Sequence, residues 1–176
     1  MSESNQHTVD NPFWQFSLNF YGREGVASSC LDFQDNFGAD VNILLYCCWV
    51  AGEGAAEITA AELVEIISVI EPWQSGVVQG LRQIRRDMKQ DELINLGALS
   101  EQLREAIKKC EFDGEKIEQT ILYQSGQSAF SDQSLGSGER IQNAAANLRN
   151  YLRAIGGDGP ENAEKLIQII SQALDS

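Results

Sequence analysis

The chain has 176 residues, 43% of them hydrophobic and 8% aromatic, with only three prolines, a composition that can bury a core and excludes a disordered, collagenous or disulfide-stapled protein. Thirteen Lys and Arg against 26 Asp and Glu give a net charge of -13, so the chain is repelled by phosphate backbones and anionic membrane surfaces, and neither nucleic acid nor membrane is an expected partner. Cys30, Cys47, Cys48 and Cys110 contain no Cys-x-x-Cys pair, which points to reduced thiols and a cytoplasmic protein.

Met1 to Asp10 is polar and acidic, without the basic and apolar regions of a secretory signal, and is expected to be a disordered tail. Asn11 and Pro12 then read as an N-cap and first helical position, followed by Phe13, Phe16 and Phe20 at helical spacing and a stop at Gly22. Val26 to Phe37 predicts an amphipathic helix with Val26, Ala27, Cys30 and Leu31 on one stripe and Gly38 as its left-handed cap. The run VNILLYCCWVA begins after Asp40, a good N-cap. It is apolar nearly all round, so it reads as a central buried helix, with a buried strand as the alternative for so short a segment.

Thr59 and Glu62 form a capping box, with Ile58 and Leu63 placed as a hydrophobic staple, and the helix they open is expected to stop near Glu71. Pro72 permits a fresh start, after which Val77, Leu81, Ile84 and Met88 predict a buried stripe. Leu99, Leu103, Ala106, Ile107 and Cys110 predict a further amphipathic helix, and Asp113 is placed to cap the next one, carrying Ile117 and Ile121. Residues 124–138, rich in Ser, Gln and Gly, read as a flexible linker between a helical core at 11–123 and a C-terminal αα-hairpin at 139–176. In that hairpin Ile141, Ala145, Leu148, Leu152 and Ile155 face inward, a GGDG turn follows, and Pro160 opens a last helix with Leu166, Ile169, Ile170 and Ala173 inward. Two helices of this length must dock on their own bundle or on a partner.

The expected fold is therefore all-α, a single-domain bundle of about seven or eight helices. Its only histidine, His7, sits in the tail, which removes Ser-His-Asp and Cys-His catalysis; no P-loop or Rossmann glycine pattern is present. Residues 1–81 hold eleven acids and one base, Arg23, whereas Arg82, Arg85, Arg86 and Lys89 crowd together. One reading pairs these arginines with the acids of the first half; the sharper reading makes them an anion site. The candidate ligand-binding set is Asp32, Asp35, Asp40, Asn42, Trp49, Arg82, Arg85 and Arg86. The acids could hold Mg²⁺ with a phosphate, but Asp40 is already explained as a cap, and no cofactor and no metal are expected.

The stretches FWQFSLNFY, CLDFQDNFGADVNILLYCCWVA and W-x4-VV-x2-LRQIRR resemble a small uncharacterised bacterial family carrying a domain of unknown function, over roughly residues 12–125. The FWxFSL opening and the QDxxGADVNxLLxCCW stretch carry the resemblance. It implies a cytosolic bacterial protein and brings no catalytic residues. The leading functional expectation is a non-enzymatic helical module with a protein partner or a second copy of itself. The alternative is a pocket for a small molecule or phosphorylated, anionic ligand, extending to an Mg²⁺-dependent enzyme, built from the Asp and Arg cluster.

Overall fold

A computed structural model describes residues 11–90, 97–126, 135–156 and 163–175, and all regular structure among them is helical. The helices are α1 (Pro12–Tyr21), α2 (Val26–Phe37), α3 (Val41–Gly52), α4 (Ala60–Trp73), α5 (Gln79–Gln90), α6 (Ala98–Gly126), α7 (Ser137–Ala154) and α8 (Glu164–Gln172). The expected tail at 1–10, the middle of the linker, the GGDG turn beyond Gly156 and Pro160 lie outside the described residues.

Local chemistry sets most of the helix starts. The Asn11 side chain accepts from the Trp14 amide at 2.9 Å, and Pro12 occupies the position where a missing N–H costs nothing. Asp40 accepts from the Asn42 amide at 2.7 Å and opens α3. Thr59 and Glu62 close their reciprocal box, with Glu62 accepting from the Thr59 amide and Thr59 from the Glu62 amide. Gly38 takes φ 66°, a conformation that strains any residue with a Cβ, and so turns the chain sharply from α2 into α3.

The centre of the molecule is α3, in which every residue from Asn42 to Ala51 is buried. The alternative of a strand is thereby settled in favour of a helix. On one side α7 lies along it with Leu148, Tyr151 and Leu152 buried; α8 closes the far side with Ile167 and Ile170, packing against α2 and α7. The C-terminal hairpin thus shares one core with the N-terminal helices. Polar side chains lock this contact. Asn147, fully buried, donates to the Cys47 carbonyl at 3.1 Å and accepts from the Ile58 amide at 2.7 Å, while Asn150 donates to the Ile58 carbonyl at 2.9 Å.

Four expectations are corrected. No break occurs at Pro72: α4 runs through it to Trp73 and passes into a π-helical stretch, Gln74–Val78, that leads directly into α5. A proline removes one helical hydrogen bond, and the wider turn that follows absorbs the displaced backbone. Asp113 does not cap a new helix, because α6 continues through it to Gly126. Nor is the Leu81, Ile84, Met88 stripe buried: Ile84 is half-exposed, and α5 meets mainly α6 and the π stretch. On α2, Leu31 is half-exposed, while Ser29 and Phe33 join Val26 and Cys30 inside.

The buried face of α6 explains the remaining surprise. It is not the Leu99, Leu103 stripe, which is exposed, but Glu111, Gly114, Glu118, Gln119, Thr120 and Leu122. At Gly114 the helix lies against the π stretch, where its carbonyl accepts from Trp73 Nε1 at 3.0 Å. Gly126 is required at the helix end, since a Cβ there would overlap the Tyr46 hydroxyl in the core.

Candidate functional site

The polar face of α6 lines a cavity of about 420 Å³ closed by α1, the start of α3 and α5. Helical spacing delivers its walls. Trp14, Ser17, Leu18 and Tyr21 come from one face of α1, at i, i+3, i+4 and i+7. Glu111, Glu115, Glu118 and Gln119 come from one face of α6 by the same rule. Asp40, Asn42 and Leu45 are brought in by the N-terminus of α3, and Arg82, Arg85 and Arg86 by α5.

Arg82 and Arg85 are held by carboxylates of α6 and not by the acids of the first half. Arg82 Nε and Arg85 Nε reach the two oxygens of Glu111 at 2.9 and 2.6 Å, and Arg82 also donates to Glu115 at 2.7 Å and to Gln34 at 3.1 Å. That corrects the expected pairing: only Gln34 among these partners precedes residue 82. Burial works against ionisation of Glu111, but Arg85 and Arg82 outweigh it and hold its carboxyl below the ordinary range. At Glu115 burial wins over Arg82, with Glu111 and Asp40 adding repulsion, and the carboxyl is raised.

Deeper in, the charge balance changes. Glu118 is fully buried and its carboxyl is pushed up to about 9, first by burial and then by the neighbouring Asp40 carboxylate. Neither of its oxygens makes a well-formed hydrogen bond. Ser17 Oγ and Gln119 Oε1 are likewise buried without a partner, although Gln119 Nε2 donates to Asn42 Oδ1 at 2.8 Å. All three residues line this one cavity. A buried polar atom without a partner costs about 1–3 kcal/mol, so such a concentration marks a place where stability is spent on something other than packing.

Of the residues singled out from the sequence, Asp40, Asn42, Arg82, Arg85 and Arg86 meet at the cavity. Asp35, exposed, faces a shallower polar hollow of about 320 Å³ that shares Asp40, Arg82 and Arg86. Asp32 points elsewhere, into a surface depression beside Lys165 of α8. Trp49 belongs to the core, among the rings of Phe13, Tyr46 and Tyr123. Sequence reasoning missed Ser17, Glu111, Glu115, Glu118 and Gln119. Their i, i+4, i+7, i+8 spacing on α6 was the available signal, and it is the spacing of a solvated helix face as well. Among the described residues no group of three or more His, Cys, Asp and Glu is placed to hold a metal ion.

A family model described as a protein of unknown function, DUF2390, matches residues 12–122. The chain belongs to that family. No match was found among curated proteins or among solved structures. The DUF2390 match runs from α1 into α6 and contains every residue that lines the cavity, whereas α7 and α8 lie beyond it. Within it, the FWxFSL stretch supplies Trp14, Ser17 and Leu18, and the QDxxGADVN stretch supplies Gln34, Asp40 and Asn42. Among the described residues no helix is long and apolar enough to cross a membrane.

Proposed function

We propose that this protein binds a small molecule in the cavity between α1, α3, α5 and α6, acting as a binding protein and not as a catalyst. The observation that carries the reading is the convergence of the unpartnered atoms of Ser17, Glu118 and Gln119 on one hollow. Its volume falls in the usual range for small-ligand sites, and its walls mix apolar surface from Trp14, Leu45 and Phe112 with converging polar and charged side chains. The lining contains no His or Cys, and Glu111, Glu115, Arg82 and Arg85 are already paired in the pattern of a structural network. Thermal unfolding against matched cationic, neutral and anionic metabolites tests the reading. A ligand at 100 times its Kd adds about 2.7 kcal/mol, and Ser17→Leu, which fills the hollow, should abolish the shift. Shifts that survive Ser17→Leu would place binding elsewhere.

A second reading is favoured by the arm that α5 and α6 form. Leu99 and Leu103, four residues apart on one face of α6, are 69% and 55% exposed, and Ile84 on α5 is 51% exposed. This apolar face is suited to contact with a second copy of the chain. Sedimentation of Leu99→Glu/Leu103→Glu beside the wild type should then show self-association weakened at least tenfold. Identical sedimentation at all concentrations would remove this reading.

A further inference from the structure

We propose that the ligand of this cavity presents a compact organic cation, a primary ammonium or guanidinium group on an apolar body, with Glu118 as the group that receives it. The proposal rests on the small-molecule reading above and specifies its chemistry. The unpartnered atoms decide the polarity. Gln119 Oε1 can only accept, the Ser17 hydroxyl can accept as well as donate, and both oxygens of Glu118 accept once its proton has left, so a donor is the one partner that satisfies all of them together. Arg82 and Arg85 do not call for an anion, since they are already engaged by Glu111, Glu115 and Gln34, and Arg86 is exposed and borders the adjoining polar hollow as well.

Charge and aromatic surface agree with this. The groups that face Glu118 are the carboxylates of Asp40 and Glu115, the Asn42 amide and, from α7, the phenol of Tyr151; none is a cation. Arg82, which lines the same cavity, is committed to Glu115 and Glu111. Trp14 at the cavity wall already carries the Lys116 ammonium over its ring at 5.3 Å, and Phe112 meets Trp14 edge-on at 5.2 Å, so the wall is a surface on which positive charge is stabilised.

Proton balance follows from the site. At neutral pH the unliganded Glu118 keeps its proton, for the reasons of burial and repulsion given above. An ammonium arriving beside it stabilises the carboxylate, and the Glu118 proton leaves to solvent as the ion pair forms. Binding should therefore release about one proton per ligand near pH 7, and progressively less as the pH is raised past the Glu118 pKa.

The test is isothermal titration with a series of primary alkylammonium and arylalkylammonium ions, each matched with its isosteric alcohol and carboxylate, repeated in buffers of different ionisation enthalpy. The expected result is a preference of at least tenfold for the ammonium member and a buffer dependence that corresponds to release of one proton. Glu118→Gln should lose both, and Gln119→Met should weaken binding without removing the proton release. Tighter binding of the alcohols or carboxylates, with amide resonances of Ser17, Asn42 and Gln119 shifted, would overturn the cation while leaving the pocket. Absence of binding by every series, with those resonances unmoved, would overturn both.

Discussion

Glu118→Gln is expected to unfold at a higher temperature than the wild type at pH 8 and at nearly the same temperature at pH 5. The carboxyl is held near 9 in the folded protein against an ordinary 4.5, so between these values the unfolded chain is ionised while the folded chain keeps its proton. The unfolded state then binds fewer protons, and stability falls as pH rises, by up to about 1.4 kcal/mol per pH unit. From pH 5 to pH 8 the loss is on the order of 3 kcal/mol, or about 6–12 °C in Tm for a chain of this size. An amide of the same shape removes the titration and can donate to Asp40. Glu115, also raised by burial, lowers stability in the same direction, but it is present in both proteins, so the difference between them reports Glu118. Glu111, Glu62 and Glu164 are lowered in the fold, so their contribution is present at neutral pH and is lost only below the ordinary carboxylate range. Cys30, pushed up to about 12 by burial, costs stability only as the unfolded thiol begins to ionise, above about pH 8. Parallel pH profiles of the two proteins would show that Glu118 carries no burial cost, and that the cavity floor is ordinary core.

Asn147→Ala is expected to lower stability by about 3 kcal/mol, read as a fall in the urea midpoint with an unchanged slope. The side chain is 0% exposed and is the joint between α7 and the end of α3. Its removal leaves the Ile58 N–H and the Cys47 carbonyl with no replacement partner and opens a void between the helices. Asn150→Ala is the control. It loses bonds to the Ile58 carbonyl and to the exposed Glu57, where water can substitute more easily, so its effect should be about half as large. Equal effects, or none at Asn147, would mean that the apolar contacts of Leu148, Tyr151 and Leu152 hold α7 on α3 without help from the amide.

These two residues also show how unevenly the fold can be read from the chain. Asn147 sits in a clear helical repeat with Asn143 and Asn150, and nothing along the chain says that asparagines at these positions turn inward. Glu118 is less legible still. On α6 the exposed Leu99 and Leu103 mimic a core stripe while Glu111, Glu115 and Glu118 mimic a solvated one, and the two faces exchange roles in the folded protein. Hydrophobic periodicity assumes that the apolar face is the buried one, and a cavity wall made of carboxylates violates that assumption. Arg82, Arg85 and Arg86 were visible as a cluster. Their partners were not, because ion pairs between helices depend on which face of α6 turns toward α5.

What could be settled along the chain was settled by interactions spanning a few residues. Asn11, Asp40 and the Thr59–Glu62 box start helices by satisfying amides two or three positions away, Gly38 ends one by taking a left-handed turn, and the unbroken apolar run from Ile43 to Ala51 places α3 at the centre. The continuity of α4 through Pro72, the single long α6 and the meeting of Ser17 with Glu118 and Gln119 were decided by tertiary packing. Each is a balance in which a local cost, a lost hydrogen bond or a buried carboxyl, is outweighed by contacts with helices far away in sequence, and no local pattern records the sign of that balance.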